Sequence, residues 1–250
     1  MFERLRNNFA RSNFGSLALE LVVVIVGILI AFQIDRWAED RRDRDQEYNY
    51  LVRLKEDLQI EMQSMDSALR YAEARIADVL LLEAVFADPS VALTRPSAVA
   101  TAVETATWRS FPQINSFVYS ELQSTGNLGL IRSDSLRRDL ASHYSSIRHH
   151  ERVGLDLNIQ HQFERITAGI LSTAELQAIE TESWNDARSD LPAERALEIA
   201  QELARRQGAV DLLPNIAQHH VFNQKVMGMA RERAREIIAL IDALTADFGH

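Results

Sequence analysis

Few side chains here have the types and spacing that carry chemistry, and histidine supplies the most suggestive set. His143, His150 and His161 stand 7 and 11 residues apart, which on an unbroken helix puts them on one face. Such a stripe suits a proton-sensing face or a weak metal site, with His219 or His220 as further donors. The helical rise, however, sets successive members about 10 and 16 Å apart, too far for one ion to bridge. They are read as ordinary surface or rim histidines. His149-His150-Glu151-Arg152 lacks the one-turn ligand pair of a zinc-binding helix. No Gly-x-Ser-x-Gly elbow, phosphate-binding glycine loop or dinucleotide fingerprint occurs. With no Cys, thiolate metal sites, disulfides and cysteine nucleophiles are excluded. The chain is expected to be non-enzymatic, with no catalytic residue, metal or cofactor.

One carboxylate has a different setting. Glu20 lies in LALELVVVIVGILIAFQI, residues 17–34, where Gln33 is the only other polar side chain. Eighteen helical residues rise about 27 Å, close to the hydrocarbon thickness of a bilayer. Phe14 and Trp37 bracket the run as interfacial anchors. The run ends in Gln33-Ile34-Asp35-Arg36-Trp37, a poor peptidase site, so it reads as a retained signal anchor. Gly27 and Ala31 form a small-xxx-small pair that lets two such helices approach closely. Glu20, near the end of the run, is a packing partner or a side chain reaching the headgroups.

The element that follows must project from the bilayer. Residues 38–47, AEDRRDRDQE, mix both signs and read as a solvated continuation of the helix. A near-heptad apolar stripe then runs Leu51, Leu54, Leu58, Met62, Met65, Leu69, Ala72, Ile76 and Val79, with one extra-residue slip between Leu58 and Met62. It must bury itself against helices of the same chain or of another subunit. Asp88-Pro89-Ser90 ends this helix. Capping residues and helical apolar spacing then predict a short helix near 97–107 and another from Asn115 or Ser116 to Leu122, stopped by Gly126. A long helix opens at Ser133 or Asp134 and carries Leu136, Leu140, Tyr144 and Ile147, with a bend at Gly154. Ser172–Glu175 is a capping box, Pro192 opens a helix with Leu197, Ile199 and Leu203, and the last helix follows Pro214. No alternating strand pattern occurs. The expected fold is all-α: a basic tail (1–15), a transmembrane helix (16–37), a charged helix with a heptad-like stripe (38–87) and a helical bundle packing on it (88–250).

Two stretches resemble an uncharacterised bacterial family of single-pass membrane proteins, a domain of unknown function. They are LELVVVIVGILIAFQIDRWAEDRR at 19–42 and SFVYSELQSTGNLGLIRSDSLRRDLASHY at 116–144. The resemblance implies a membrane-anchored helical domain and brings no activity with it. A second resemblance is local. Phe14-Gly15-Ser16-Leu17-Ala18-Leu19-Glu20 is similar to a type IV prepilin cleavage site, although its first mature residue would be Ser16 and no β-rich head follows.

The 250 residues carry 27 Lys and Arg against 36 Asp and Glu, a net charge of −9. Nucleic acid is therefore excluded as an expected partner, since phosphate binding needs clustered cations. The expected partners are the lipid bilayer and either further copies of the chain or a membrane protein complex. The cation count favours the C-terminal side of the span as cytoplasmic, but acidic residues there outnumber the arginines. The reading adopted is N-terminus inside, with the domain on the periplasmic face of a bacterial inner membrane. The leading expectation is a self-associating or scaffolding protein working through the Gly27/Ala31 face and the Leu51–Val79 stripe. The alternatives are a ligand- or partner-sensing accessory subunit and, less favoured, a pilin-like filament subunit.

Overall fold

A computed structural model describes residues 2–110, 112, 114, 116–153, 158–185, 191–246 and 248, with side chains for all of these except 2–17, 149–153 and 181–185. Every regular element among them is helical. Helix α1 spans Phe2–Ala87 without interruption, so the expected tail, span and charged helix are segments of one rod. No Gly or Pro lies between Gly27 and Asp88 to break it. Asp88 stops it, and its side chain accepts from the Ser90 amide to open a 3₁₀ turn, Pro89–Leu93. The remaining helices are α2 (Pro96–Thr105), α3 (Phe117–Ser124), α4 (Asp134–Val153), α5 (Asn158–Thr167), α6 (Thr173–Asn185), α7 (Ala193–Ala204), α8 (Gln207–Val210) and α9 (Leu213–Ala246).

Helix α9 returns antiparallel along α1, as the ion pairs Lys55–Asp242 and Asp66–Arg231 record. Two apolar cores form along this hairpin. One gathers Leu51, Leu54 and Leu58 of α1 with Tyr119, Leu122, Leu136, Leu140, Ile237 and Ile241. The other, at the far end, gathers Val79, Leu82 and Val85 with residues of α2, α5, α7 and the start of α9. Between them α1 presents Met65, Ala68 and Ala72, all buried.

The stripe on α1 differs from its expected register. The buried positions are Glu47, Leu51, Leu54, Leu58, Glu61, Met65, Ala68, Ala72, Val79, Leu81, Leu82 and Val85. With Arg75, 12% exposed and paired to Asp78, those from Glu47 to Val79 alternate steps of four and three with no slip. Met62, Leu69 and Ile76 are only half-buried. The expected slip arose from skipping a charged residue that the seam encloses. The stripe also packs within its own chain, against α3, α4 and α9 at one end and α2 and α7 at the other. Leu51, Leu54, Leu58, Met65 and Val79 are fully buried within the chain itself.

Several local signals elsewhere hold. Gly126 adopts φ +75° behind α3, a conformation that disfavours any side chain. The Ser133 hydroxyl accepts from the Leu136 amide at the start of α4. Ser172 and Glu175 cap α6 reciprocally, at 2.7 and 3.3 Å. Arg195 then grips Glu175 through two bonds and holds its carboxyl down to about 2, with the capping contacts adding to the effect. A depressed carboxylate stabilises the fold above its ordinary pKa and stops doing so as the pH falls toward 2. Glu175→Gln is therefore expected to cost about 1–2 kcal/mol at neutral pH, with the difference from wild type closing between pH 4.5 and 2; thermal unfolding across that range measures it. Asn115 and Gly154 lie outside the described residues.

Candidate functional site

The segment 116–144 docks onto α1 through carboxylates. Asp57 accepts from the Val118 amide at 3.0 Å, capping α3 from another helix. The Ser116 side chain, the expected cap, makes no such bond. Glu47, 5% exposed, accepts from the Arg132 amide at 2.7 Å where the chain turns into α4. Glu47 was expected in a solvated run. It is buried because a backbone donor needs a partner there. On the opposite edge, Arg53 and Tyr50 of α1 hold Glu121 at 2.6 and 3.2 Å.

The fourth carboxylate lies deepest. Glu61 is fully buried, with its Oε2 3.1 Å from His143 Nε2 on α4. Burial raises the Glu61 pKa, and the bond to His143 partly opposes that rise. The Tyr144 hydroxyl lies beside the same carboxylate without reaching hydrogen-bond geometry. Burial and this neighbouring charge push the phenol up. The Tyr144 ring stacks on Tyr119 of α3, with centroids 4.7 Å apart. Glu61 and His143 form a carboxylate–imidazole pair like those that orient a proton-transfer imidazole. At 0 and 1% exposure, the pair admits no substrate without the helices parting. Its effect is to fix which turn of α1 faces which turn of α4.

The histidine stripe is not assembled. His143 is a core residue, His161 is exposed on the separate helix α5, and the His150 side chain lies outside the described residues. His220 is buried, donates from Nε2 to the Ala106 carbonyl at 2.7 Å and has its pKa lowered by burial. No group of three or more potential metal ligands occurs among the described residues.

The apolar segment of α1 behaves oppositely to the seam. Every described residue from 18 to 36 is exposed, and Leu21, Val23, Leu29 and Phe32 are each at least 57% open. This is the one described helix long and apolar enough to cross a membrane, with a mean hydropathy of 2.3 and none of its apolar window buried. Glu20, Gly27 and Ala31 fall on one face within about 40°. A Cβ added at Gly27 meets nothing within 4 Å. Trp37 is 64% exposed with the Arg41 guanidinium 5.8 Å from its ring centroid, and the Phe14 side chain lies outside the described residues.

The family model of a Family of unknown function (DUF6090) matches residues 20–157, from the apolar segment of α1 through the docked 116–144 segment. The chain belongs to this DUF6090 family. The matched region contains every α1 carboxylate that caps or pairs with α3 and α4. No curated protein and no solved structure matches the chain. Sequence reasoning missed Glu47, Asp57 and Glu61. The heptad slip was a signal for Glu61, since it vanishes once the seam admits a charge there.

Proposed function

We propose that this DUF6090 protein is a non-enzymatic, single-pass membrane protein that self-associates or scaffolds an envelope complex through its apolar helix. The observation carrying this reading is the contrast along α1, whose seam is buried by its own chain while residues 18–34 are left bare. An apolar helix of this length that its own fold does not cover is matched by lipid. The bacterial inner membrane and a periplasmic domain are part of the proposal. With most of the heptad stripe buried in its own chain, the proposal places self-association first on the Gly27/Ala31 face. The chain has no Cys, so Ser145→Cys at an exposed site on α4 reports sidedness by labelling intact cells with an impermeant maleimide. Protection of that thiol would reverse the assigned orientation.

Gly27→Leu tests association directly. The added side chain meets open space within the monomer, so the fold is expected to be undisturbed. The expected result is an oligomer mass in mild detergent that falls toward a single 28.4 kDa chain, with unchanged helicity. An unchanged mass would remove this face from the proposal.

A further inference from the structure

Where α1 leaves its apolar segment, a crevice of about 800 Å³ opens between α1, the start of α4 and the end of α9. Its walls carry charge of both signs together with Trp37 and Phe248. We propose that this crevice binds the headgroup of a zwitterionic phospholipid of the phosphoethanolamine type. The inference rests on the membrane-anchored reading above.

Position is the first argument. The apolar run ends at Ile34, and Trp37 follows about 4.5 Å further along the axis, within the headgroup layer. Helical side chains lean toward the N-terminus, which on α1 is toward the apolar segment. Arg41 does so, with its guanidinium lying back over the Trp37 ring. Its charge therefore sits about a turn lower than its backbone, at the level of lipid phosphates.

Availability is the second. Arg132 on the far wall is engaged, 3.6 Å from Glu47 and 3.9 Å from Asp40. Arg41 and Arg44, one turn apart on α1, are exposed and have no ion-pair partner among the described residues. Two guanidinium forks on one helix face, neither paired to a carboxylate among the described residues, suit the oxygens of a phosphodiester. Asp45, exposed beside them, likewise has no cation partner among the described residues and suits an ammonium.

Charge balance is the third. Arg41, Arg44 and Arg132 line the crevice with Asp40, Asp45 and Glu47, so the site is neutral overall. A neutral zwitterion matches that balance, whereas an anionic headgroup needs excess cation. Toward the apolar end, the same face of α1 presents Val26, Ile30, Ile34 and Trp37 as an exposed surface with Gln33 beside them. Headgroup crevice and apolar face thus share Trp37 and lie end to end, as one lipid requires. Trp37 and Gly27 are about 80° apart around the helix, so this lipid and a second α1 helix occupy different sides.

Native mass spectrometry of the full-length protein in mild detergent tests the assignment, with phosphatidylethanolamine, phosphatidylglycerol and soluble phosphoethanolamine as probes. Phosphatidylethanolamine is expected to bind roughly five-fold or more tighter than phosphatidylglycerol, and R41A/R44A to weaken both lipids by a similar factor with helicity unchanged. Asp45→Asn is expected to weaken phosphatidylethanolamine and spare phosphatidylglycerol. Equal binding of the two lipids, binding that survives R41A/R44A, or a preference for phosphatidylglycerol overturns the proposal. Soluble phosphoethanolamine binding as tightly as the lipid makes this a free-anion site and overturns it as well. Carbonate washing of membranes reads the anchor separately. Release of the wild-type chain defeats the membrane reading, whereas retention combined with absent lipid selectivity defeats only the headgroup site.

Discussion

Replacing His143 with Leu is expected to destabilise the full-length protein by about 3–5 kcal/mol, because it strands the Glu61 carboxylate in a fully buried seam. The loss has a diagnostic pH dependence. Burial already raises the Glu61 pKa above its ordinary value while His143 opposes the rise, so removing His143 raises it further. A carboxyl whose folded pKa lies above its unfolded one takes up a proton on folding, so stability falls as the pH rises between the two values. The variant is thus expected to be closest to wild type near pH 4 and furthest from it above neutrality. Glu61→Leu in the same background is expected to recover most of the loss, since an apolar pair of similar volume needs no compensation. Urea unfolding followed by circular dichroism at several pH values measures all three proteins. If the double variant is no more stable than His143→Leu, the cost lies in lost packing and not in a stranded charge.

The second large effect concerns register. Leu58 is fully buried and Met62 is not, although both stand at apolar positions of the expected stripe. Leu58→Ala is expected to cost about 3 kcal/mol, and Met62→Ala less than about 1 kcal/mol. The same contrast reverses one heptad on. Ala68 is buried and Leu69 half-buried, so Ala68→Leu is expected to overpack the hairpin and cost about 1–3 kcal/mol while Leu69→Ala is mild. Denaturant midpoints of these four variants decide between the two registers. Equal losses at Leu58 and Met62 would reinstate the slipped stripe.

The all-α architecture was legible because its signals are local. Asp88 ending α1, Gly126 behind α3, Ser133 opening α4 and the Ser172–Glu175 box each act within a few residues of themselves. The apolar segment was legible because no amphipathic helix lacks a polar face over that length. Glu47, Asp57 and Glu61 were not legible, because their roles depend on partners far along the chain at Arg132, Val118 and His143. A carboxylate beside arginines on a helix reads as solvated until a distant backbone amide is brought against it. His143 failed for the same reason, since helical spacing linked it to His161 whereas packing links it to Glu61.

The continuity of α1 has a mechanical consequence. From Gly27 to Ala87 it contains neither hinge residue nor break, a shaft of about 90 Å. Its upper portion is clamped along its length by α9 and cross-braced by the Val118 amide of α3 and the His143 side chain of α4. Such a shaft transmits torque and tilt with little loss. A change of about 5° at its apolar end moves the distal core by roughly 8 Å, the lever arm following from the helical rise. Whatever grips the apolar end therefore steers the far tip of the molecule, and a load on that tip is felt as leverage where the helix is held.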